Sequence, residues 1–477
     1  MTGFNGLEIG RRALQAQRTG MDVTGNNIAN VNTPGYARQT AVFTETSPMY
    51  IPTKGFIGTG VSVGAIKSFR EEYFDREIRN NLSRKSGYEA DDRTLQRIET
   101  ILKEPSGTGL DNTLNKFFSS FQDLSLQPEN IARRELALNA GQNLADEIRT
   151  TANSLSDLRG EVFQKLGTQV GEVNRLLKEI ASLNGQISAS QAQSLDTTNT
   201  INNERAKRIE ELSKFGGTVF VSIDNRGLAN VTIAGNSVVT GTFASTLKLN
   251  ETISGSGERT AKIDIVDNGG TPLVTLAPDS GEFASALKQY NVTLDDKDSS
   301  GGFSVAKNLN ELAVAIVNKV NAVSTTGYGL DDTVAPNRNF FASTSIDAFT
   351  IDLDSSVKGQ PRNLPVANAP GVPGDNTIAR GIASIANDAT FLTGQTPASF
   401  YSSFLNKVAI AGSDAQTGLK TTTLIADQLN AQRESVIGVN LDEEAINLVK
   451  YQKGYEAAAR IVNTTSEMLG TLINLGR

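Results

Sequence analysis

The stretch from Leu441 to Leu475 carries a regular heptad pattern, and no other feature of the sequence constrains the fold as strongly. Two rows of residues, each with a period of seven, interleave so that the spacing alternates between four and three. The first row is Leu441, Leu448, Tyr455, Val462 and Leu469; the second is Ala445, Gln452, Ala459, Ser466 and Ile473. This spacing predicts a helix that packs along its length against other helices. Periodicity alone favours neither an ordinary bundle helix nor an assembly helix.

The predicted helix has a well-marked start. Asn440 is placed as its N-cap, and acidic residues follow in the first turn, where the helix dipole favours negative charge. Glu443 comes three residues after the cap, as in a capping box. At about 1.5 Å per residue, such a helix is roughly 50 Å long. The second row is small and polar, which suits close packing against helices better than burial in a globular core.

A second heptad pattern lies at the opposite end of the chain. Leu7, Leu14, Met21 and Ile28 stand seven apart, with Gly10, Gln17, Thr24 and Val31 between them. The first thirty residues are therefore predicted to form a helix with a narrow apolar stripe. We expect the two terminal helices to pair.

The first helix is predicted to end in the run Asn27-Ile28-Ala29-Asn30-Val31-Asn32-Thr33-Pro34-Gly35-Tyr36. Pro34 biases Thr33 away from helix, and Gly35 permits a turn. This run closely resembles the N-terminal signature of the bacterial flagellar axial proteins, which include rod, hook and hook-associated proteins. Its continuation 37–39 and the tail segments 440–445 and 451–460 resemble the hook-associated protein 1 family. The resemblance is direct over roughly the first 40 and last 45 residues, and the middle agrees only in layout.

The resemblance implies a structural adaptor that assembles head-to-tail in a helical array at the distal end of the hook. The implied partners are further copies of the chain, the hook protein, a second junction protein (hook-associated protein 3) and a flagellar export chaperone. The implied location is the extracellular flagellum, reached by the flagellar type III route without a cleaved signal. The assembly interface is expected to consist of Leu7, Leu14, Met21, Ile28, Asn30, Pro34, Gly35, Tyr36, Leu441, Leu448, Tyr455, Val462, Leu469 and Ile473.

Composition narrows the possible chemistry. The 477 residues include no cysteine, histidine or tryptophan. Disulfides, thiolate nucleophiles and zinc sites with cysteine or histidine ligands are therefore impossible, and most general acid–base catalysis near neutral pH is excluded. We expect no enzyme activity, no cofactor and no metal. The net charge of −7 argues against a nucleic-acid partner, and no apolar run is long enough for a membrane span.

The middle of the chain reads as helices interrupted by one β-rich segment. Residues 37–68 are predicted to be an extended linker with short strands, followed by helices over 69–103, 110–126, 130–192 and 199–214. Alternation and turn clusters predict strands at 219–223, 229–234, 245–250, 261–266, 272–276 and 291–294. Helices are predicted again at 305–323, 376–388, 397–411 and 414–437, with loops and a strand or two in 335–375.

These elements predict an elongated α+β fold. We expect an inner coiled-coil domain from 1–36 and 438–477, a mainly helical domain from 37–215 and 303–437, and an inserted β-rich domain at 216–302. Two alternatives stay open: a hook or distal rod protein, and a flagellum-displayed binding protein or enzyme that uses the β-rich insertion. The long helical region argues against the first alternative, because those relatives are mostly β between their ends.

Overall fold

A computed structural model describes residues 2–33, 36–51, 55–103, 109–192, 198–255, 257–267, 269–297 and 301–475. The helices of these ranges are α1 (Thr2–Ala29), α2 (Glu72–Leu102), α3 (Leu110–Leu126), α4 (Ile131–Ala192), α5 (Thr198–Ser213), α6 (Gly281–Lys288), α7 (Val305–Ser324), α8 (Thr377–Ser384), α9 (Pro397–Ile437) and α10 (Leu441–Leu475). The fold is a mixture of helix and sheet, as the sequence predicts.

The segment after α1 forms nested hairpins. Strand β1 (Gln39–Glu45) pairs antiparallel with β4 (Val61–Ser68), and β2 (Met49–Ile51) pairs with β3 (Gly55–Ile57) between them. Gln39 lies opposite Ser68, and a register shift falls between Val42 and Phe43. This β1–β4 hairpin packs against α1. The predicted strands are confirmed, but the segment is a paired hairpin packed on α1 and not an extended linker.

The longest helix, α4, holds the helical layer together. Its 62 residues span about 93 Å at 1.5 Å per residue. Apolar residues of α4 repeat at spacings of four and three, which is a heptad pattern, and this row faces the core. Its members Leu166, Val173, Leu176 and Ile180 are fully buried. Helices α3, α5 and α7 pack against it. At one end, four phenylalanines pack edge-to-face or tilted, with ring centroids 4.9–6.1 Å apart: Phe117, Phe121, Phe340 and Phe341.

Two antiparallel sheets make up most of the β-rich segment. The first has the order β5 (Val219–Ile223), β6 (Ala229–Ile233), β7 (Asn236–Thr240) and β8 (Phe243–Ala244). The second has the order β11 (Pro272–Thr275), β10 (Arg259–Val266) and β9 (Thr246–Ile253). Alternate residues of β6 are buried, namely Ala229, Val231 and Ile233, as expected for a sheet with one face on the core.

The predicted strand at 291–294 is wrong. The structure instead has a π-helical turn at Gln289–Thr293, which continues directly from α6. Phe283, Ala286, Tyr290 and Leu294 are all buried, and their spacing of three and four is helical. The local alternation of residues 291–294 is overridden because α6 packs on α2, where the Gln289 side chain donates to the Ala90 carbonyl.

Two further predictions need correction. Residues 397–437 form one continuous helix, α9, instead of two. The break was predicted around Gly412, but a helix tolerates glycine at a cost of about 1 kcal/mol, and packing of α9 on α2 offsets it. In 335–375 the only pairing in the described structure is isolated bridges, such as Phe341 with Leu353. In the described ranges, no helix combines the length and apolar character that a bilayer span requires.

Candidate assembly interface

Helices α1 and α10 pack antiparallel, and glycines set their separation. Built onto Gly10, a Cβ would lie 2.5 Å from the Val462 Cγ2, and on Gly20 it would lie 2.9 Å from the Tyr451 Cδ1. Gly6 faces Thr465 in the same way, at 3.1 Å. At Gly10 and Gly20 a Cβ would force the neighbouring side chain to move, and at Gly6 it would be tightly packed. The close approach of the two backbones therefore depends on glycine along one face of α1.

At one position the glycine belongs to α10 instead of α1. A Cβ on Gly454 would lie 2.7 Å from the Gln17 side chain, so here the small residue belongs to α10 and the large one to α1. Gly10 and Gln17 belong to the second heptad row of α1. These two residues, together with Gly6 and Gly20, contact α10.

The apolar row of α1 lies beside this contact. Leu7, Leu14, Met21 and Ile28 are all half-exposed. At 3.6 residues per turn, this row is rotated by roughly 70° from the glycine face. The β1–β4 hairpin covers the opposite flank of α1, where Arg12 donates to the Thr59 carbonyl and Gly60 lies against Ile9.

Some residues of the first heptad row of α10 contact α1, and others are exposed. Val462 contacts Gly10, and Leu448 and Leu469 are half-buried. Leu441 and Tyr455 are exposed, and so is Ile473 of the second row. Because the helices are antiparallel, helical geometry places Leu448 and Tyr455 on the same flank as the leucine row of α1. The leucine row of α1, with Leu448 and Tyr455 of α10, therefore forms one partly exposed apolar strip along the helix pair.

Helix α10 exposes further apolar residues that sequence reasoning did not select. Ile446 and Val449 lie on the face away from α1, and Ile461 and Met468 lie on a flank. Each of the four is at least half exposed. Helical geometry places Ile461 and Met468 on the flank nearer the hairpin. Because these positions fall outside the heptad rows, only the excess of large apolar residues along α10 could have indicated them.

A buried polar cluster joins α1, the hairpin and α10 at one end of the pair. The Asn27 amide donates to the Gln39 carbonyl at 2.8 Å and to the Glu444 carboxylate at 3.1 Å. The Gln39 N–H and the Tyr36 hydroxyl both donate to the Asn27 side-chain oxygen, at 3.0 and 2.9 Å. Arg38 completes the cluster through ion pairs of 2.8 and 2.9 Å to Glu444 and Glu443.

This cluster explains part of the motif that follows α1. Burial, with the nearby Glu444 charge, raises the pKa of Tyr36 to about 12. Asn30 accepts from the Thr33 hydroxyl at 3.1 Å and so helps to end the helix. Pro34 and Gly35 lie outside the described residues. Sequence reasoning selected Tyr36 but missed Asn27, Arg38 and Glu444, although the first two stand within or beside the motif.

The predicted cap of α10 is present. The Asn440 side chain accepts from the Asp442 and Glu443 N–H groups, at 2.9 and 3.3 Å. The Glu443 carboxylate pairs with Arg38, so it serves the polar cluster. The site is thus a packing and hydrogen-bonding surface, and no cluster of three or more metal-binding side chains occurs in the part of the chain that the structure describes.

Comparison with known proteins identifies relatives of this site and of the whole chain. The family model for the flagellar hook-associated protein FlgK helical domain matches residues 95–341. A flagella basal body rod protein model matches residues 7–36, and the C-terminal model of the flagellar basal body rod FlgEFG proteins matches residues 435–475. These two matches coincide with α1 and α10.

Relatives that match nearly the full length of the chain are described as flagellar hook-associated protein 1. Flagellar hook-associated protein 1 of Bacillus subtilis is 26% identical over 507 residues, covering 99% of this chain and 98% of the relative. The Escherichia coli protein of the same name is 25% identical over 97% of this chain and 98% of the relative. Among solved structures, the flagellar hook junction protein FlgK from Burkholderia pseudomallei has a TM-score of 0.62 at 14% identity, covering 76% of this chain and all of that one. This last likeness shows the fold.

Proposed function

The chain belongs to the family of the flagellar hook-associated protein FlgK, the structural adaptor of the hook–filament junction, and we propose that the α1–α10 pair carries its assembly. The match of the helical-domain model to more than half of the chain decides against a hook or distal rod protein. The family is one of structural flagellar proteins. We propose no catalytic role for the chain.

One observation carries the assembly proposal. Helix α10 packs chiefly on α1. Among its described side chains, seven large apolar ones are exposed: Leu441, Ile446, Val449, Tyr455, Ile461, Met468 and Ile473. Apolar residues in such a number along one element mark an interaction surface. Neighbouring copies of the chain would bury them on both flanks of the pair. Repetition of such a heterologous contact gives an open helical array.

The hook protein and hook-associated protein 3 are proposed as the neighbours on the two sides of the array. Before export, a flagellar chaperone would cover the exposed face of α10 and prevent premature association. The chain would then leave the cell through the flagellar type III route without cleavage. Support comes from the apolar surface of α10 and from the match of the rod-protein models to the two terminal segments.

The domain organisation stays a proposal. We propose an inner unit from the two termini, a mainly helical unit from 37–215 and 303–437, and a β-rich insertion at 216–302. Because the β1–β4 hairpin packs on α1 and shares the polar cluster, we draw the inner unit to about residue 68. The finer description of the fold as elongated rests on the length of α4.

Substitution of exposed apolar residues tests the proposal without removing buried contacts. Ile461→Asp with Met468→Asp places charges on a flank of α10 that is exposed in the isolated chain. In a strain that lacks the protein, this variant should give hooks without filaments by electron microscopy. Its melting temperature should match that of the unchanged protein.

The matched control is Leu136→Asp, which changes an exposed leucine of α4 and should restore filaments. Normal filaments with the double variant would contradict the proposal. A large loss of melting temperature would instead show that α10 is an ordinary core helix.

A further inference from the structure

A cavity of about 660 Å³ lies where β4, α2, α5 and β5 meet. One wall is apolar and includes Ile66, Ile209 and Val221. The remaining wall carries four cationic side chains, Lys67, Arg70, Arg79 and Arg205, with only two carboxylates, Glu72 and Asp75. The chain as a whole is acidic, so this excess of positive charge is local.

Arg79 has no partner in this cavity. Its side chain is nine-tenths buried and lies in the first third of α2, yet it makes no hydrogen bond or ion pair with any residue that the structure describes. Its Nε is fully enclosed without an acceptor. A buried guanidinium without an acceptor costs several kcal/mol in general, so proteins normally pair it. An ionised group in such a position is an unusual feature that needs an explanation.

The other buried arginines of this protein show what is normal here. Arg205, in the same cavity, donates to the Asn184 side chain and the Gly227 carbonyl, each at 2.8 Å. Arg134 donates to the carbonyls of Pro128 and Leu364, at 2.6 and 2.7 Å. Arg79 is also buried, but it has no such acceptor. The lack of an acceptor therefore sets Arg79 apart from both of these arginines.

The charges and the unpaired polar atoms around Arg79 also favour an anionic ligand. Burial lowers the pKa of Arg79, and the charge of Arg70 lowers it further, although nearby carboxylates oppose this. Burial, and after it the charge of Arg70, also lowers the pKa of Arg205. The Ser68 hydroxyl and the Asn203 side-chain oxygen line the same cavity and also lack partners among the described residues.

We propose that the cavity binds an organic carboxylate, with the charged group at Arg79 and an apolar body against Ile66, Ile209 and Val221. A carboxylate matches the planar fork of a guanidinium and supplies the missing acceptors. The carboxylates of Glu72 and Asp75 disfavour a doubly charged anion such as phosphate. The bound molecule would contact the hairpin, α2 and α5 together, and so hold the hairpin against the helical layer.

Octanoate is a suitable probe, because it joins one carboxylate to a flexible apolar chain. Calorimetric titration of the full-length protein with octanoate should show saturable binding. Arg79→Met should weaken it at least tenfold, while Arg79→Lys, which keeps the charge and loses the fork, should weaken it less. Arg84→Gln, which changes an exposed arginine of the same helix, should leave the affinity unchanged.

Stability without the probe separates a binding role from a structural one. If Arg79 awaits a ligand, Arg79→Met removes an unpaired buried charge and should raise the melting temperature. A lower melting temperature would assign Arg79 a structural role and overturn the proposal. The proposal would also be overturned if octanoate did not bind or if octanol bound as tightly as octanoate. Displacement of octanoate by inorganic phosphate at equal concentration would overturn it as well.

Discussion

Helices α4 and α10 carry the same type of heptad, but the structure uses them differently. In α4, the heptad residues Leu166, Val173, Leu176 and Ile180 are fully buried beneath other helices and a sheet. In α10, every residue of the first row is at least partly exposed. A heptad therefore indicates that a helix needs partners along one face. It does not indicate whether those partners belong to the same chain or to a neighbouring molecule.

The reason for the difference lies in the number of partners. Helix α4 is enclosed by α3, α5, α7 and the strands of the β-rich segment. Helix α10 has one main partner, α1, and glycines hold the two helices so close that large side chains are displaced to the flanks. The comparison predicts that equal substitutions in the two helices have unequal effects on the isolated protein.

The largest expected difference concerns leucine truncation. Leu166→Ala leaves a cavity in a fully buried region of α4 and should lower the free energy of unfolding by about 2–5 kcal/mol. Leu448→Ala removes a half-exposed side chain of α10 and should lower it by well under half as much. Urea denaturation of the two variants measures both values. Equal losses would show that the isolated chain already buries α10 as a core helix.

A smaller difference is expected between two glycines of α1. Gly10→Ala forces a methyl group into contact with Val462 and should weaken the α1–α10 contact by about 1–3 kcal/mol. Gly25→Ala meets no atom within 4 Å and should stabilise the helix by up to about 1 kcal/mol. Hydrogen exchange of the α1 amides reports the contact directly. Equal protection in the two variants would refute the close approach of the helices.

The smallest effect concerns the polar cluster. Tyr36→Phe removes the hydrogen bond to Asn27 and should cost about 1 kcal/mol near neutral pH. Because burial raises the folded-state pKa of Tyr36 to about 12, above its ordinary value near 10, the folded state binds the hydroxyl proton more tightly. The contribution of Tyr36 is present below pH 10 and is lost as the pH rises towards 12.

The measurement for this prediction is the difference in unfolding free energy between the two proteins from pH 8 to 12. It should decrease above pH 10. A difference that stays constant would mean that the Tyr36 hydroxyl ionises equally well in the folded and unfolded chain. Tyr50→Phe, which alters an exposed tyrosine of β2, is the control for general alkaline effects.

Local sequence patterns were sufficient for most elements of the fold. The bounds of α3 and α4 follow from the helical spacing and from the prolines that precede or end these helices. The Asn440 cap of α10 also follows from residue type alone. The π-helical turn at Gln289–Thr293 could not be predicted in this way. Its short alternating run favours a strand, but the neighbouring residues pack as a helix on α2 and determine the local structure.

The candidate interface shows the same division. The sequence by itself determined that each terminus forms a helix with a heptad, and that a specific motif ends the first one. Which residues of α1 meet α10 was decided only by the tertiary structure, since hydrophobicity selects Leu7 and Leu14 while close packing of backbones selects Gly6, Gly10 and Gly20. The contact between Asn27 and Glu444 joins residues 417 positions apart, so no local pattern could pair them.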